Sequence, residues 1–487
     1  MSGDRGNARY QSPDPAPLSW GYRGHDSRSR GAFEAGTEVA HATPARVGKV
    51  LDIDLPDART SSPVPSFQAV PSEGGCVNAR CTCMLLTLGL SFVLLAGCDR
   101  DQYPASLEYT FTPYPRKVAK TITIKREADG KVVQVGAEGP PAAAPDVLAA
   151  LGADLQPGQE KGVGVDAQEI LDIPYERQAA INSELKQFFG TPRDPRVEVS
   201  EEIINDPEMR LQPEHLQEGS KLYRKLCLYC HGINGDGAGP TGAFLNPRPR
   251  DFRRGIFKFR STVKINPDNK KPDPPAQVTP SFDDIKRTLQ RGVPTASMPS
   301  FNLLSDRDLD ALVSYVIHLS LRGMAEYQLA TGETDDPEQA TISAAKRWLY
   351  GSARGGPNRM EKAVYVPPAM PGGWGGTLPT SAELKESPGL KVYRGDGKCV
   401  ECHWTDGRSN PLDVPTNLGR MNDWGQLNPP RNLTTGVYRG GARPVDVFWR
   451  IKLGIAGSGM PAAADTLSDE DIWHLVDYVM ALPTQQR

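Results

Sequence analysis

The pattern of hydrophobic and polar positions divides the chain into regions of different kinds. Residues 1–76 are rich in Pro, Ser, Gly and Arg and show neither a helical nor a strand period. We expect them to form a disordered leader. The apolar positions from Tyr175 to Phe189 repeat with a helical period, and Gly190 ends the run. This pattern predicts a helix.

A short apolar run lies directly before Cys98. Its 14 residues, Met84–Gly97, carry no charge. A membrane span needs about 20 residues, but this length suits the apolar core of a signal peptide over residues 77–98. A buried helix of a globular domain is the alternative. The ending Leu-Ala-Gly-Cys resembles the bacterial lipoprotein box, which implies a lipid on Cys98 and a location in the cell envelope.

The position of this run is unusual, because signal peptides begin close to the N-terminus. About eighty residues precede it here. Our hypothesis is that translation starts near Val77 or Met84, so that residues 1–76 would not be translated.

Residues 99–204 predict an extended N-terminal region with one hairpin and the helix described above. Thr121–Ile124 and Lys131–Val135 flank an Asp-Gly dipeptide, which is a hairpin signal. Residues 137–165 are rich in Ala, Pro and Gly and look like a linker. The sequence assigns no chemistry to this region.

Beyond residue 204 the same motifs occur twice in the same order. We name residues 205–325 the first copy and residues 381–487 the second copy; residues 326–380 join them. The matched positions are Gly219 and Gly389, Tyr223 and Tyr393, Arg250 and Arg431, Gly292 and Gly454, Ser305 and Ser468, and Tyr315 and Tyr478. Two copies in one register indicate duplicated domains. Both serines precede acidic residues and are expected to be helix N-caps.

Each copy contains a Cys-x-x-Cys-His pentad. Two thiols and an imidazole at positions i, i+3 and i+4 share one face of a helical turn. The thiols can form thioethers with the two vinyl groups of one porphyrin, and the imidazole then lies under the iron. This spacing is the attachment signal of c-type haem. The predicted attachment residues of two covalent haem c groups are Cys227, Cys230, Cys399 and Cys402, followed by His231 and His403 as iron ligands. A zinc-binding module is the alternative, although each copy supplies only one Cys pair.

Each copy also carries a Met-Pro dipeptide six residues after a glycine. A lone Met is more often a core residue than a ligand, but Met298 and Met460 occupy equivalent positions. We predict that they are the second axial ligands, opposite His231 and His403. Such a ligand raises the reduction potential and fills the sixth position of the iron. Both sites would then transfer electrons without binding oxygen or peroxide.

Other candidate residues have a structural and a functional interpretation. His215, His318 and His474 could each replace a Met, but they do not occupy equivalent positions. We expect them to be surface or interface residues. Arg250 and Arg431 are equivalent, and each either binds a haem propionate or is exposed to solvent.

Both copies resemble a class I cytochrome c domain. In that family a helix with a Gly and an aromatic residue packs against an aromatic residue of the last helix, as Gly219, Tyr223 and Tyr315 would. The resemblance implies a mainly α fold of two tandem helical domains. It also implies that a proline carbonyl accepts the second N–H of the ligand His. Pro240 is the candidate in the first copy, and in the second Pro411 and Pro415 compete.

Two segments are expected to lie outside the helical cores. The first copy contains an additional basic, Pro-rich segment, Lys264–Pro280, which we expect to be a solvated surface loop; docking of a partner is the alternative. Within residues 326–380, Glu338 to Leu349 has a helical pattern, whereas Pro367–Pro379 is too rich in Gly and Pro for regular structure.

The composition shows no charge excess that would indicate a nucleic-acid partner, with 56 basic and 59 acidic residues. Since haem is attached covalently outside the cytoplasm, the sequence predicts a dihaem cytochrome c on the periplasmic side, tethered to the membrane. It would be an electron carrier, not an enzyme, acting between respiratory partner proteins. Its two domains would be flexibly joined. The alternatives are a subunit of a cbb3-type oxidase or of an alternative complex III, and a dihaem peroxidase, which needs an iron with an open sixth position.

Overall fold

The structure is a computed structural model that describes residues 103–135, 148–149, 152–265, 272–273, 278–351, 361–370, 381–409 and 421–483. The leader, the signal segment with Cys98, and Pro411 and Pro415 lie outside these residues. All described residues belong to the unit Thr82–Arg487. Among them, no helix has both the length and the apolar character needed to cross a membrane.

Helices form most of both copies, and strands occur before and between them. The strands are β1 Pro115–Arg126, β2 Val132–Val135, β3 Glu160–Ile170, β4 Thr262–Ile265, β5 Pro272–Asp273 and β6 Glu361–Val364. The helices are α1 Tyr175–Phe189, α2 Glu201–Ile204, α3 Pro213–Leu226, α4 Leu228–His231, α5 Phe282–Arg291, α6 Asp306–Thr331, α7 Pro337–Tyr350, α8 Ser381–Glu386, α9 Pro388–Arg394, α10 Val400–His403, α11 Pro444–Lys452 and α12 Asp469–Ala481.

The N-terminal region contains a three-stranded antiparallel sheet in the order β2-β1-β3. The hairpin between β1 and β2 confirms the prediction from the Asp-Gly dipeptide. Gly130 has a φ of +85° in this turn, a conformation that suits glycine. The predicted linker over 137–165 is wrong at its C-terminal end, because β3 begins at Glu160. Ladder bonds to β1 stabilise this strand, and Val163 packs on the small core of the sheet.

Helix α1 is confirmed over the predicted residues and joins the N-terminal region to the first copy. Its apolar residues Ile181, Leu185 and Phe189 are fully buried in the same core as helix α6. Helix α6 continues past residue 325, so the first copy and the joining segment share one helix. The predicted helical part of the joining segment is confirmed as α7.

The predicted helix pair is present in both copies. The rings of Tyr223 and Tyr315 lie 5.2 Å apart, and those of Tyr393 and Tyr478 lie 5.0 Å apart. The serine caps are also confirmed, since Ser305 and Ser468 each accept a hydrogen bond of 3.1 Å from the backbone N–H three residues later. The fold is therefore helical in both copies, with small sheets added.

The prediction of a surface loop over Lys264–Pro280 is wrong for the residues at the two ends of this segment that the structure describes. Strand β4 pairs with β5 and with β6 of the joining segment. At the other end, Thr279 is buried, and its hydroxyl donates to the carbonyl oxygen of Trp348 at 2.7 Å. The insertion therefore packs against the segment that leads to the second copy.

The two copies contact each other directly. Arg291 of the first copy pairs with the buried Asp446 of the second at 3.0 Å. The buried Arg260 donates to the carbonyl oxygen of Leu453 at 3.1 Å. Because buried polar contacts of this kind fix relative position, the expectation of flexibly joined domains is wrong.

Candidate functional site

Both pentads adopt the same local geometry. In each, a single helical turn, α4 or α10, begins one residue after the first cysteine. The backbone N–H of His231 donates to the carbonyl oxygen of Cys227 at 2.8 Å, and His403 makes the equivalent bond to Cys399 at 2.8 Å. None of the four pentad cysteines belongs to a disulfide bond among the described residues. Each pentad therefore presents two thiols and an imidazole within one turn.

A backbone carbonyl holds each pentad imidazole. The Nδ1 atom of His231 lies 3.2 Å from the carbonyl oxygen of Arg250, and that of His403 lies 2.9 Å from the carbonyl oxygen of Arg431. Ser409 reinforces the second contact at 3.1 Å from Nδ1. Since a carbonyl oxygen only accepts, Nδ1 carries the proton. An imidazole in this tautomer binds a metal through Nε2.

The prediction that Pro240 supplies this carbonyl is wrong. The Gly-Pro turn packs against the backbone that enters α4, where a Cβ on Gly239 would be 2.5 Å from the carbonyl oxygen of Leu228. Thr241 bonds to the carbonyl oxygen of Tyr229 at 2.9 Å. The carbonyl oxygen at the His231 ring therefore belongs to Arg250, ten residues further along the chain than Pro240.

Burial sets the protonation of these side chains. It lowers the pKa of His231, which favours the neutral imidazole that a metal requires. Burial raises the pKa of Cys227 to about 12 and that of Cys399 to about 11. Reactive cysteines of redox enzymes have the opposite shift. Cys227 and Cys399 therefore lack the lowered pKa that marks a catalytic thiolate.

The Met-Pro segments also match between the copies. Gly292 and Gly454 both have a φ of +65°. A Cβ would lie 2.5 Å from the carbonyl carbon of Pro299 in the first copy, and 2.7 Å from that of Pro461 in the second. The glycines thus allow the chain to fold back on the Met-Pro segment, which explains the six-residue spacing.

Met298 and Met460 occupy equivalent places in these turns. The carbonyl oxygen of Met298 accepts from Val293 N–H at 3.1 Å, and that of Met460 accepts from Ile455 N–H at 3.2 Å. Both side chains are half-buried, and Met298 packs against the core of its copy. Their role as iron ligands stays a prediction.

His318 is not a surface residue. It is fully buried, and its Nε2 lies 3.1 Å from the hydroxyl of Tyr109 in the N-terminal region. Its ring stacks on Tyr315. The expectation of an interface residue is confirmed, and that of a surface residue is wrong. His474 and His215 are half-buried.

One residue that the sequence did not indicate lies between the copies. Trp424 is 2% exposed, and the guanidinium carbon of Arg250 lies 4.0 Å from its ring centroid. Among the described residues, no acceptor contacts the indole N–H. Trp424 also packs on Gly457, where a Cβ would be 2.4 Å from its ring. Because Trp424 has no equivalent in the first copy, the repeat could not identify it.

The residues fit covalently attached haem. Each copy offers two cysteines outside any disulfide, one turn apart, and an imidazole held at Nδ1. A buried N–H without an acceptor and the nearby guanidinium of Arg250 suit a group that carries carboxylates.

Comparison with known proteins agrees with this geometry. Residues 214–316 and 385–479 match the family model described as cytochrome C oxidase, cbb3-type, subunit III. Each copy is therefore similar to a cytochrome c domain. This similarity supports covalent haem c and one-electron transfer.

A chain of the reducing HAO-like protein complex of Kuenenia stuttgartiensis is 28% identical, over 55% of this chain and 96% of that one, with a TM-score of 0.40. No curated protein matches the chain.

Proposed function

We propose that this protein is a dihaem c-type cytochrome that carries single electrons between respiratory partner proteins outside the cytoplasm. Cys227 and Cys230 would attach one haem and Cys399 and Cys402 the other. The observation that carries the proposal is the twofold occurrence of one arrangement: a Cys-x-x-Cys-His pentad in a single helical turn, an imidazole held by a carbonyl, and a glycine-supported Met-Pro turn.

The protein groups have defined tasks in this function. The carbonyl oxygens of Arg250 and Arg431 hold the imidazoles of His231 and His403 in the tautomer that binds iron through Nε2. Covalent haem would supply a one-electron Fe(III)/Fe(II) couple. A thioether ligand from each Met-Pro turn would favour the reduced iron and exclude small ligands. No side chain is required to act as a general acid or base.

Optical spectra of the purified chain test this proposal. Reduced-minus-oxidised spectra should show c-type haem, and CO should not change the spectrum of the reduced protein. A haem that binds CO would instead support the dihaem peroxidase alternative, which requires one iron with an open sixth position. Zinc without covalent haem would contradict the proposal.

A second candidate function is a subunit of a larger respiratory oxidoreductase. The description of the matching family model favours this candidate, because it names a subunit of an oxidase. Purification from native membranes separates the two functions. A free carrier should be recovered without stoichiometric partners, whereas a subunit should co-purify with the other chains of its complex.

Attachment to the membrane through a lipid on Cys98 is part of the proposal. It is supported by the apolar run and the Leu-Ala-Gly-Cys ending alone. The variant Cys98→Ser should leave the membrane fraction, and Cys83→Ser is the matched control that should remain there. Retention of Cys98→Ser in membranes that have been washed with high salt would contradict a lipid anchor.

A further inference from the structure

Trp424 belongs to a tight turn of the second copy, residues 422–426, which we name the Trp424 turn. The side-chain carbonyl oxygen of Asn422 accepts hydrogen bonds of 3.0 Å from the backbone N–H groups of both Trp424 and Gln426. The backbone N–H of Asp423 donates to the carbonyl oxygen of Gly457 at 3.2 Å. These bonds fix the backbone of the turn, and with it the position of the indole ring.

The N-terminal sheet holds the Trp424 turn from one side. On strand β1, the backbone N–H of Lys117 donates to the carbonyl oxygen of Asp423 at 3.1 Å. On strand β3, the side-chain amide of Gln168 donates to the carbonyl oxygen of Trp424 at 2.6 Å. A Cβ on Gly425 would lie only 2.5 Å from the Cβ of Gln168. The N-terminal region, to which the sequence assigns no chemistry, therefore positions this turn.

The indole ring itself is packed between the two copies. The guanidinium carbon of Arg250, in the first copy, lies 4.0 Å from the ring centroid. A Cβ on Gly457, in the second copy, would lie 2.4 Å from the ring and 3.1 Å from the side chain of Ile256 in the first. Trp424 is only 2% exposed. The ring therefore fills the space between Arg250 and Gly457.

These contacts connect the ring to one candidate ligand segment in each copy. The carbonyl oxygen of Arg250 lies 3.2 Å from Nδ1 of His231. Gly457 belongs to the turn before Met460, in which the backbone N–H of Met460 donates to the hydroxyl of Ser458 at 3.3 Å. Trp424 therefore packs between the residue that holds the imidazole of the first candidate site and the Met-Pro turn of the second.

We propose that Trp424 is a positioning residue that couples the two sites, so that an electron passes between the copies across its ring. This inference rests on the proposed function. In this step one iron changes from Fe(II) to Fe(III) and the other from Fe(III) to Fe(II); no bond forms or breaks, no proton moves, and the indole stays neutral. Atoms on the two sides of a void lose their van der Waals contact, whereas a closely packed ring keeps it. Because electron tunnelling falls off more steeply across a gap than through packed atoms, the ring favours transfer.

The test measures electron exchange between the two haems of one chain. In a half-reduced sample, the NMR signals of the haem methyl groups are averaged when the electron exchanges rapidly and are separate when it exchanges slowly. Trp424→Leu should slow the exchange several-fold, because the smaller side chain opens a gap between Arg250 and Gly457. Trp424→Phe should restore most of the wild-type rate, since it keeps a flat ring and lacks only the N–H and the second ring.

The matched control is Trp348→Leu. Trp348 is also fully buried, and its indole N–H likewise contacts no acceptor within the part of the chain that the structure describes. It packs in the core of the first copy, so its loss should lower stability without slowing the exchange. Urea unfolding followed by circular dichroism measures the stability of each variant. Potentiometric titration should give wild-type midpoint potentials for both Trp424 variants, because the indole is uncharged.

Three outcomes would overturn the inference. Unchanged exchange in Trp424→Leu would show that the electron takes another route. Equal slowing in Trp348→Leu would show that any loss of core packing has this effect. Equal slowing in Trp424→Leu and Trp424→Phe would show that the N–H acts and not the packed ring. A chain without covalent haem would contradict the proposed function itself, whereas a dihaem chain with any of these three results would contradict only the role of Trp424.

Discussion

A Cβ atom on Gly219 would lie 2.1 Å from the carbonyl oxygen of Ala311, so the backbones of helices α3 and α6 touch at this point. Gly389 has the same relationship to His474, also at 2.1 Å. The two contacts fix the angle at which the first and last helices of each copy cross. Because α3 ends directly before Cys227, its contact also fixes where the first pentad begins, whereas residues 395–398 separate α9 from Cys399.

Substituting this glycine should destabilise the protein. Gly219→Ala forces the helices apart, and overpacking of this kind costs about 1–3 kcal/mol of the free energy of unfolding. Urea unfolding followed by circular dichroism measures the change. Gly164→Ala is the control, because a Cβ at Gly164 meets nothing within 4 Å. Equal stability of the two variants would show that the helices do not touch at Gly219.

A buried charge network ties the N-terminal region to helix α6. Glu326 is fully buried and accepts hydrogen bonds of 2.7 Å from both Tyr114 and Arg322. Arg253, which is 1% exposed, donates to the carbonyl oxygens of Thr112 and Pro113. The network thus holds the segment directly before β1, residues 112–114, against the first copy.

Removing the carboxylate from this network should be costly. Glu326→Leu leaves buried guanidinium charge without its partner, a loss of about 3–5 kcal/mol. Glu326→Gln retains some of the hydrogen bonds and should lose less. Glu169→Gln, which breaks an exposed pair with Arg116, should cost under about 1 kcal/mol. Chemical denaturation gives the free energy of unfolding of the three variants. A loss for Glu326→Leu as small as that for Glu169→Gln would contradict the network.

The stability of the protein should depend on the protonation of His318. Burial, followed by the nearby Arg322, lowers its pKa from 6.5 to about 3. The unfolded chain therefore binds a proton that the folded chain does not, and stability is lost as the pH falls from 6.5 towards 3. Between pH 7 and pH 4 the wild type should lose roughly 2–3 kcal/mol more than His318→Gln, which cannot titrate. Denaturant titrations of the two proteins at pH 7 and pH 4 give the loss of unfolding free energy of each. Equal losses for the wild type and His318→Gln would show that His318 can bind a proton in the folded protein.

The Met-Pro turns give a prediction about ligand access. Met298→Ala should lower the potential of the first haem and open its sixth position, so that CO binds to one haem per chain. Met324→Ala is the control, since Met324 is a buried core methionine of the same copy. CO binding that is absent from Met298→Ala, or present in both variants, would contradict the assignment of Met298 as a ligand.

The sequence predicted those features that the repeat displays twice. The tyrosine pairs, the serine caps and the glycines before Met298 and Met460 recur in register, and each has a local reason for its spacing. The helix Tyr175–Phe189 was also predictable, because its apolar period is regular.

Features that depend on distant partners were not predictable. Strand β3 alternates only over Val163, Val165 and Ala167, next to glycines that favour a linker reading, and β1 pairs with it along its length. Arg250 holds His231 through its backbone, which carries no residue-specific signal. His318 is buried by Tyr109, which lies 209 residues away in the chain. Trp424 belongs to the second copy alone.

The most direct test of the account is the intact mass of the mature chain purified from a host that attaches haem c, with peptide mapping of both pentads. The account predicts two covalent haems, one at Cys227 and Cys230 and one at Cys399 and Cys402. Loss of one haem should follow from a double Cys→Ser change in either pentad. A chain whose mass shows no covalent haem, or haem at only one pentad of the wild type, would contradict it.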